Sequence, residues 1–438
     1  MIIRNYQITR TQLIIFGAIA VIIILLGLVF FGVIGRAPAP QRATLEFWGI
    51  YDDSSAWRAI TDEYRKTHPE IFVNYTEINP DTYEKDLLEA LASGNAPDIV
   101  MFHSSWLPKH GNKVVPMPQI LMTVRQFQET FPDVATTNFV ANNQIYALPV
   151  WIDALAMLYN KDLFNTAGIA VPPKTWDDFI RVVQKLSSKD KFGNLTKSGA
   201  AIGAANNIDN AADILSLLML QTGAKMISDD GTLAAFERQI QTGGAIWNPG
   251  ESALRFYTDF ANPKSAAYTW NDGQTNSLDA FAGGKTAIIF DYAVTIPQIK
   301  ERAPGLRLGT AAMPQLEGAS KSVNYADYWG YAVPAASRYP NEAWQFIFYA
   351  SGKDINKYFS TAVGRLASRR DVIAEEQTDP NLGVFAEEIL SAVSWYQADP
   401  AEIEAIFKEM INAVILKNTS PANAIADAAS KVTFLMRK

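Results

Sequence analysis

The chain has 438 residues, enough for two cores, because a single hydrophobic core stops growing near about 250–300 residues. Its formal net charge of −7 and pI near 5.2 argue against a nucleic-acid partner, which favours a basic face, and such a charge suits a monomeric soluble body. Cysteine is absent, which removes disulfides, thiolate catalysis and most zinc sites and leaves the redox compartment undetermined.

No charge interrupts the run between Arg10 and Arg36, and Leu13 to Ile34 is almost wholly aliphatic or aromatic. At about 1.5 Å per residue this length spans the roughly 30 Å hydrocarbon core of a bilayer. The expectation is a short cytoplasmic N-terminus over 1–10, a transmembrane anchor over 11–35 and a Pro-rich tether over 36–43. The alternatives are a cleaved signal peptide, whose apolar region is usually about 7–15 residues, and a buried core helix. Ala37-Pro38-Ala39-Pro40 offers small residues for cleavage, but the prolines oppose it. Arg4 and Arg10 precede the run while Arg36 and Arg42 follow it, so charge alone sets no orientation.

Strands and helices then alternate. Thr44 to Trp48 reads as a strand, and Ser54 to Lys66 as a helix with Trp57, Ile60 and Tyr64 on one face. Ile71 to Ile78 is a second strand. Asp81 is expected to cap a helix carrying Tyr83, Leu87, Leu88 and Leu91, which Gly94 ends. Asp98 to Phe102 is a third strand, and this order implies a parallel sheet with right-handed crossovers. Further on, an apolar run from Ala147 to Tyr159 passes into Asn160-Lys161-Asp162-Leu163-Phe164, followed by Gly168 and Pro172-Pro173. Thr175, with Asp178 three residues on, opens a helix over Trp176 to Leu186. Other helices are expected over Asp213 to Gln221 and Ser252 to Phe260, and the chain recrosses near Tyr325 to Pro334.

Open parallel sheets bind ligands beyond the carboxyl ends of their strands. That rule selects Trp48, Tyr51 and Asp52 after the first strand, and Phe102, Ser105 and Trp106 after the third. Both groups mix aromatic rings with short polar side chains, as a pyranose requires for its C–H faces and its hydroxyls. Core packing is the competing reading for each ring. Asp153 sits in an apolar strand, where a buried carboxylate needs a partner, whether a ligand, a backbone cap or an ion pair. Asn207, in a loop with Asn206 and Asn210, is a cleft contact or a turn residue; Trp270, beside an Asp-Gly turn, and Tyr292 and Trp329, after strands, are cleft or core. Catalytic patterns fail. Gly284-Lys285-Thr286 lacks the glycine a phosphate loop needs at Asp279, the three histidines show no metal spacing, and no Gly-x-Ser-x-Gly occurs. Asp52 and Asp153 could pair as a glycosidase acid and nucleophile, yet sugar binding uses the same residue types. The expectation is therefore no enzyme, no cofactor and no metal.

Three stretches carry a resemblance: Ile145 to Phe179, Ala92-Ser93-Gly94-Asn95-Ala96-Pro97-Asp98, and Phe281 to Phe290. Together they closely resemble the extracellular solute-binding proteins of the sugar-binding family 1, the maltose-binding-protein-like receptors of ABC importers. The likeness runs from Thr44 to the end of the chain. It implies an α/β, two-lobed periplasmic-binding-protein-like fold with doubly wound sheets and an interlobe cleft, here preceded by the N-terminal helix. Lobe 1 would comprise 44–152 and 331–372, and lobe 2 would comprise 153–330 and 373–438. Asp153 matches an acidic sugar contact of the relatives, and Trp395 matches a stacking aromatic. The implied partners are a carbohydrate ligand, an oligosaccharide above all, and ABC permease subunits, with the body on the extracytoplasmic side. Many relatives are anchored through a lipid-modified cysteine; without one, the helix would take over that task. Two rivals stay open: an anchored sugar sensor or adhesion module, and a relative binding a polyamine, ferric ion or other small solute. Ten tryptophans lean towards sugar.

Overall fold

The computed structural model describes residues 9–30, 42–51, 54–242 and 244–437. Most of the expected tether, up to residue 41, and the candidate Asp52 lie outside the described residues.

The strand Ala43–Gly49 buries Leu45 and Phe47 and exposes Thr44 and Glu46, the two-residue alternation of a sheet with one covered face. It pairs in parallel with Ile71–Glu77 on one side and Ile99–His103 on the other, through the helices Ser54–Thr67 and Tyr83–Ser93. Ile99–His103 is buried at every position, the pattern of a strand covered on both faces. The ring of Phe47 meets Trp57, Tyr75 and Tyr331 edge-on at 4.8, 5.0 and 4.8 Å, tying both covering layers to the sheet. Gly94 ends the second helix in the left-handed region at φ 75°, as expected, with its N–H donating to Ala90 O. Its start differs from expectation. The cap position is Thr82 rather than Asp81, and the Thr82 hydroxyl donates to Asp86 (2.7 Å) instead of accepting a backbone N–H.

The open side of Ile99–His103 is filled by a strand from much later in the chain, Trp329–Pro334, running antiparallel. That strand also pairs with Leu148–Pro149 and Val114–Val115, so this sheet is mixed rather than wholly parallel. A second sheet has Ala156–Asn160 at its centre, flanked by Ile288–Asp291 and Leu308–Ala311. The expectation of a doubly wound sheet in this lobe is corrected: both neighbours run antiparallel to the central strand. The physical reason is the entry point. Ala156–Asn160 leaves the crossing, while its neighbours bring their carboxyl ends back to it, with Asp291 opposite Ala156. Helices Trp176–Leu186, Ala211–Gln221 and Pro249–Asp259 belong to this half of the molecule. The Thr175 hydroxyl accepts from Asp178 N (3.1 Å), as the sequence implies.

Three chain passes are stitched where the halves meet. Leu155 N donates to Tyr325 O (3.1 Å), Ala154 bridges Ala326, and Asn324–Tyr325 pairs in parallel with Ala392–Val393. Fully buried Asn324 donates to Leu155 O (2.6 Å) and accepts from Tyr325 N (2.7 Å).

At the N-terminus, Arg10–Phe30 forms a helix of 21 residues, and its apolar side chains from Ile15 to Ile24 are exposed. The side chains described within it are Arg10, Thr11 and residues 15–24. Counted over the described residues, no helix is long and apolar enough to cross a membrane, so the anchor rests on the sequence.

Replacing Asn324 by Ala removes these two hydrogen bonds and a third to Glu388, and strands buried polar groups, so stability should fall by about 2–3 kcal/mol. Urea unfolding checks this: the midpoint should drop with an unchanged slope.

Candidate functional site: a cavity between the two sheets

The carboxyl ends of the first and third strands of the first sheet carry Ile50, Tyr51, His103 and Trp106 to one wall of a cavity of about 980 Å³. In a strand, neighbouring side chains point to opposite faces. His103 consequently faces the cavity, while Phe102 packs in the core edge-on to Trp106 at 5.8 Å. Register completes this wall: Trp329 lies opposite His103, with ring centroids 4.8 Å apart, and meets Trp106 edge-on at 5.1 Å. Behind them Tyr83 stacks on Trp106 (6.0 Å, 8°) and donates its hydroxyl to Met101 O (3.0 Å).

The opposite wall comes from the start of the helix Ala211–Gln221, which supplies Asn210 and Asp213, and from Tyr292, just beyond the strand Ile288–Asp291. The stitched crossing adds Tyr325 and Asp327, and the start of the helix Pro400–Ile415 adds Asp399, Glu402 and Glu404. The Tyr292 hydroxyl donates to Asp213 Oδ2 (2.8 Å), and His103 Nε2 lies 2.8 Å from Asp327 Oδ1. Burial, then the nearby Asp327 charge, pushes the Asp213 carboxyl well above the usual carboxylate range. Burial and the charges of Asp213 and Asp327 also push the Tyr292 and Tyr325 hydroxyls up, keeping both neutral and able to donate. Rings that can stack and carboxylates that can accept thus share one cavity, the composition that hydroxyl-rich solutes need.

Of the residues singled out from sequence, Tyr51, Trp106, Tyr292 and Trp329 line this cavity. Among the described candidates the others do not, and each has another task. Trp48 is half-buried against the core. Ser105 is buried, with its hydroxyl donating to Gln397 O (3.1 Å). Asn207 accepts from Trp270 Nε1 (2.9 Å) and donates to Asn271 O and Gln274 O (both 3.0 Å), so this pair locks a loop. Trp395 stacks on Phe407 (5.8 Å, 29°), one layer behind the cavity wall, and lines a separate groove of about 670 Å³. Of the four residues expected to converge on one cleft, Phe102, Asp153 and Trp395 do not line this cavity, and Asp52 lies outside the described residues.

Asp153 is a backbone cap. Its Oδ1 accepts from Ala154 N (3.0 Å) and Ala293 N (3.3 Å), joining the crossing strand to the turn that presents Tyr292. Burial raises its carboxyl to about 7, against the pull of these N–H groups and the Arg365 charge. That Arg365 guanidinium lies over Tyr51 (4.2 Å) and Trp151 (4.8 Å), holding the Tyr51 ring at the cavity edge.

His103, Asp213, Tyr325 and Asp327 escaped the sequence reading. Strand alternation could have preferred His103 to Phe102. Asp213 is the only charge in the helix sequence AADILSLLMLQ, a sign that this end of a buried helix meets something polar.

A family model described as bacterial extracellular solute-binding protein matches residues 49–357. The chain belongs to this family. Its members are binding proteins that work outside the cytoplasm. Curated relatives include a candidate binding protein of Brucella abortus, 23% identical over 86% of this chain and 89% of that protein. Another is the multiple sugar-binding protein of Streptococcus mutans, 22% identical over 73% of this chain and 74% of that protein. Among solved structures, the sugar-binding protein MalE of Xanthomonas citri aligns with a TM-score of 0.74 at 19% identity, covering 90% of this chain and 98% of that one. This match fixes the two-lobed α/β fold for the body.

The Asp153 geometry makes a pH-dependent prediction. Its folded pKa of about 7 lies above the ordinary carboxylate value, so the folded state binds the extra proton and loses stability as pH rises from about 4 through 7. Asp153→Asn keeps an oxygen acceptor and removes the charge. Its melting temperature relative to the parent should therefore rise between pH 4 and pH 8. Asp153→Ala orphans two backbone N–H groups and should cost about 2 kcal/mol or more at any pH.

Proposed function

We propose that the chain is a membrane-anchored extracytoplasmic receptor that captures a carbohydrate and presents it to an ABC permease. The observation that carries this reading is the cavity, where Tyr51 and Trp329 offer rings, backed by Trp106, and Asp213 and Asp327 offer acceptors. The sugar-binding names of the Streptococcus and Xanthomonas relatives support the same ligand class. Volume fits too: a cavity of about 980 Å³ is at the upper end of small-molecule sites and suits an oligosaccharide.

The mechanism is hinge closure. Lobe 1 would take residues 44–152 and 331–372, and lobe 2 residues 153–330 and 373–438, rotating about the passes near Ala154, Tyr325 and Ala392. Ring faces come mainly from the first lobe and carboxylates from the second and the crossing. Neither wall alone satisfies a sugar, so the ligand favours the closed form by its differential contacts. The helix Arg10–Phe30 would hold the body at the membrane, keeping it near its permease in place of a lipid-modified cysteine.

A thermal-shift screen of the detergent-solubilised full chain against mono- and oligosaccharides tests the ligand class; ligand at 100 times Kd should add about 2.7 kcal/mol. Trp329→Ala removes a stacking face of the cavity and should weaken binding of the best hit about tenfold or more, since 1.4 kcal/mol is one decade. Unchanged affinity in that variant would contradict the assignment of the cavity.

A further inference from the structure

Charge in the cavity is one-sided. Two lysines line it, Lys85 and Lys109, and both are already committed, to Glu89 (3.9 Å) and Glu84 (2.7 Å). Among the described residues no arginine lines it. Asp213 has the Tyr292 hydroxyl as its hydrogen-bond donor, and no lysine or arginine pairs with it among the described residues. Asp327, from the crossing, lines the same cavity, and its charge opposes that of Asp213; its own contact is His103 Nε2. Glu404 faces the same space from a third element, with Lys408 as its partner 2.5 Å away. Asp291 adds a fourth negative group beneath, capped by Tyr292 N and Thr295.

Neutral hydroxyls can donate to the carboxylates but cannot cancel the like charges of part-buried Asp213 and of Asp327, whose side chain is 42% exposed. A cation can. The rings around the pair are also of the right kind, because Trp and Tyr faces attract a desolvated ammonium. Trp106 lines the same wall; it is 3% exposed, and its indole Nε1 has no hydrogen-bond partner among the described residues. The cavity therefore offers a cation seat against a tryptophan wall.

We propose that the sugar held here carries a protonated amine, seated between the Asp213 and Asp327 carboxylates and enclosed by the rings of Tyr292, Tyr325 and Trp329. This rests on the carbohydrate reading and narrows it to amino sugars. The sugar ring lies against the tryptophan wall, and the ammonium donates to the two carboxylates while Tyr292 keeps its hydrogen bond to Asp213. Closure brings Asp213 and Tyr292, beside the second sheet, onto a cation already resting against Trp329 on the wall built by the first sheet, so charge neutralisation and hinge motion become one event.

The test is titration calorimetry on the full chain in detergent at neutral pH. The probes are disaccharides and trisaccharides of glucosamine and galactosamine, their N-acetylated forms, the neutral parent sugars, and spermidine. The amines should bind at least about tenfold more tightly than the N-acetylated and neutral forms, with an affinity that falls as salt rises. Asp213→Asn and Asp327→Asn, on different elements, should each reduce that amine preference about tenfold, and circular dichroism should show both folded. A panel in which no amine outbinds its neutral counterpart overturns the proposal; if neutral sugars bind, the carbohydrate reading stands without it. Binding of spermidine with no sugar of either kind overturns the carbohydrate reading and the proposal with it.

Discussion

The strand Trp329–Pro334 closes the first sheet after the chain has built the whole second one, and the backbone chemistry of Ile99–His103 demands it. A central strand buried on both faces cannot leave its N–H and C=O groups unpaired, so the first half of the molecule is incomplete until the chain returns. That return fixes the register of Trp329 against His103 and draws Tyr325 and Asp327 into the crossing. It also forces the chain to pass between the halves more than once, and the Leu155–Tyr325 and Ala326–Val393 hydrogen bonds bind those passes together. A few backbone bonds joining the chain passes between the two sheets make a natural hinge. The cavity lies where it does because the carboxyl ends of strands from both sheets point to that junction.

Two kinds of charge burial follow, with opposite consequences. Asp153 and Glu388 are structural: each carboxyl is raised to about 7 by burial, and each is tied to the stitched crossing, Asp153 through backbone N–H groups and Glu388 through Asn324. They hold the crossing in place and are satisfied within the protein. Asp213 is different, because its surroundings oppose its charge and supply one neutral donor. Burial and the Asp327 charge favour its protonated form, and a cation beside it would restore the charged one.

The sequence made some features legible and hid others for definite reasons. The parallel arrangement of the first three strands was readable because alternation, helix spacing and Gly94 agreed with one another. Thr175 as a helix cap was readable because capping is local. The antiparallel second sheet was not, since its pairings join Ala156–Asn160 to strands more than a hundred residues away, and no short-range pattern records their direction. Among site residues, Tyr51, Trp106 and Tyr292 followed from their places just past strand ends, whereas Trp329 opens its strand, opposite His103. Phe102 followed from the same strand-end rule, yet strand alternation sends its side chain to the core and that of His103 to the cavity. Asp153 carried the right chemistry for a ligand contact, but backbone N–H groups of Ala154 and Ala293 claim its oxygen, and only three-dimensional placement reveals that competition.

The central claim is that the halves close on a ligand about the stitched crossing, and the absence of cysteine makes it directly measurable, because introduced thiols take label without background. Exposed Ser93, at the end of the helix Tyr83–Ser93, and exposed Ala405, on the helix Pro400–Ile415, flank the cavity from opposite sides. Spin labels at Ser93→Cys and Ala405→Cys, read by pulsed electron double resonance with and without the best-binding oligosaccharide, report their separation. The account predicts a shorter and narrower distance distribution when ligand is bound. A distribution that does not change at saturating ligand would contradict it.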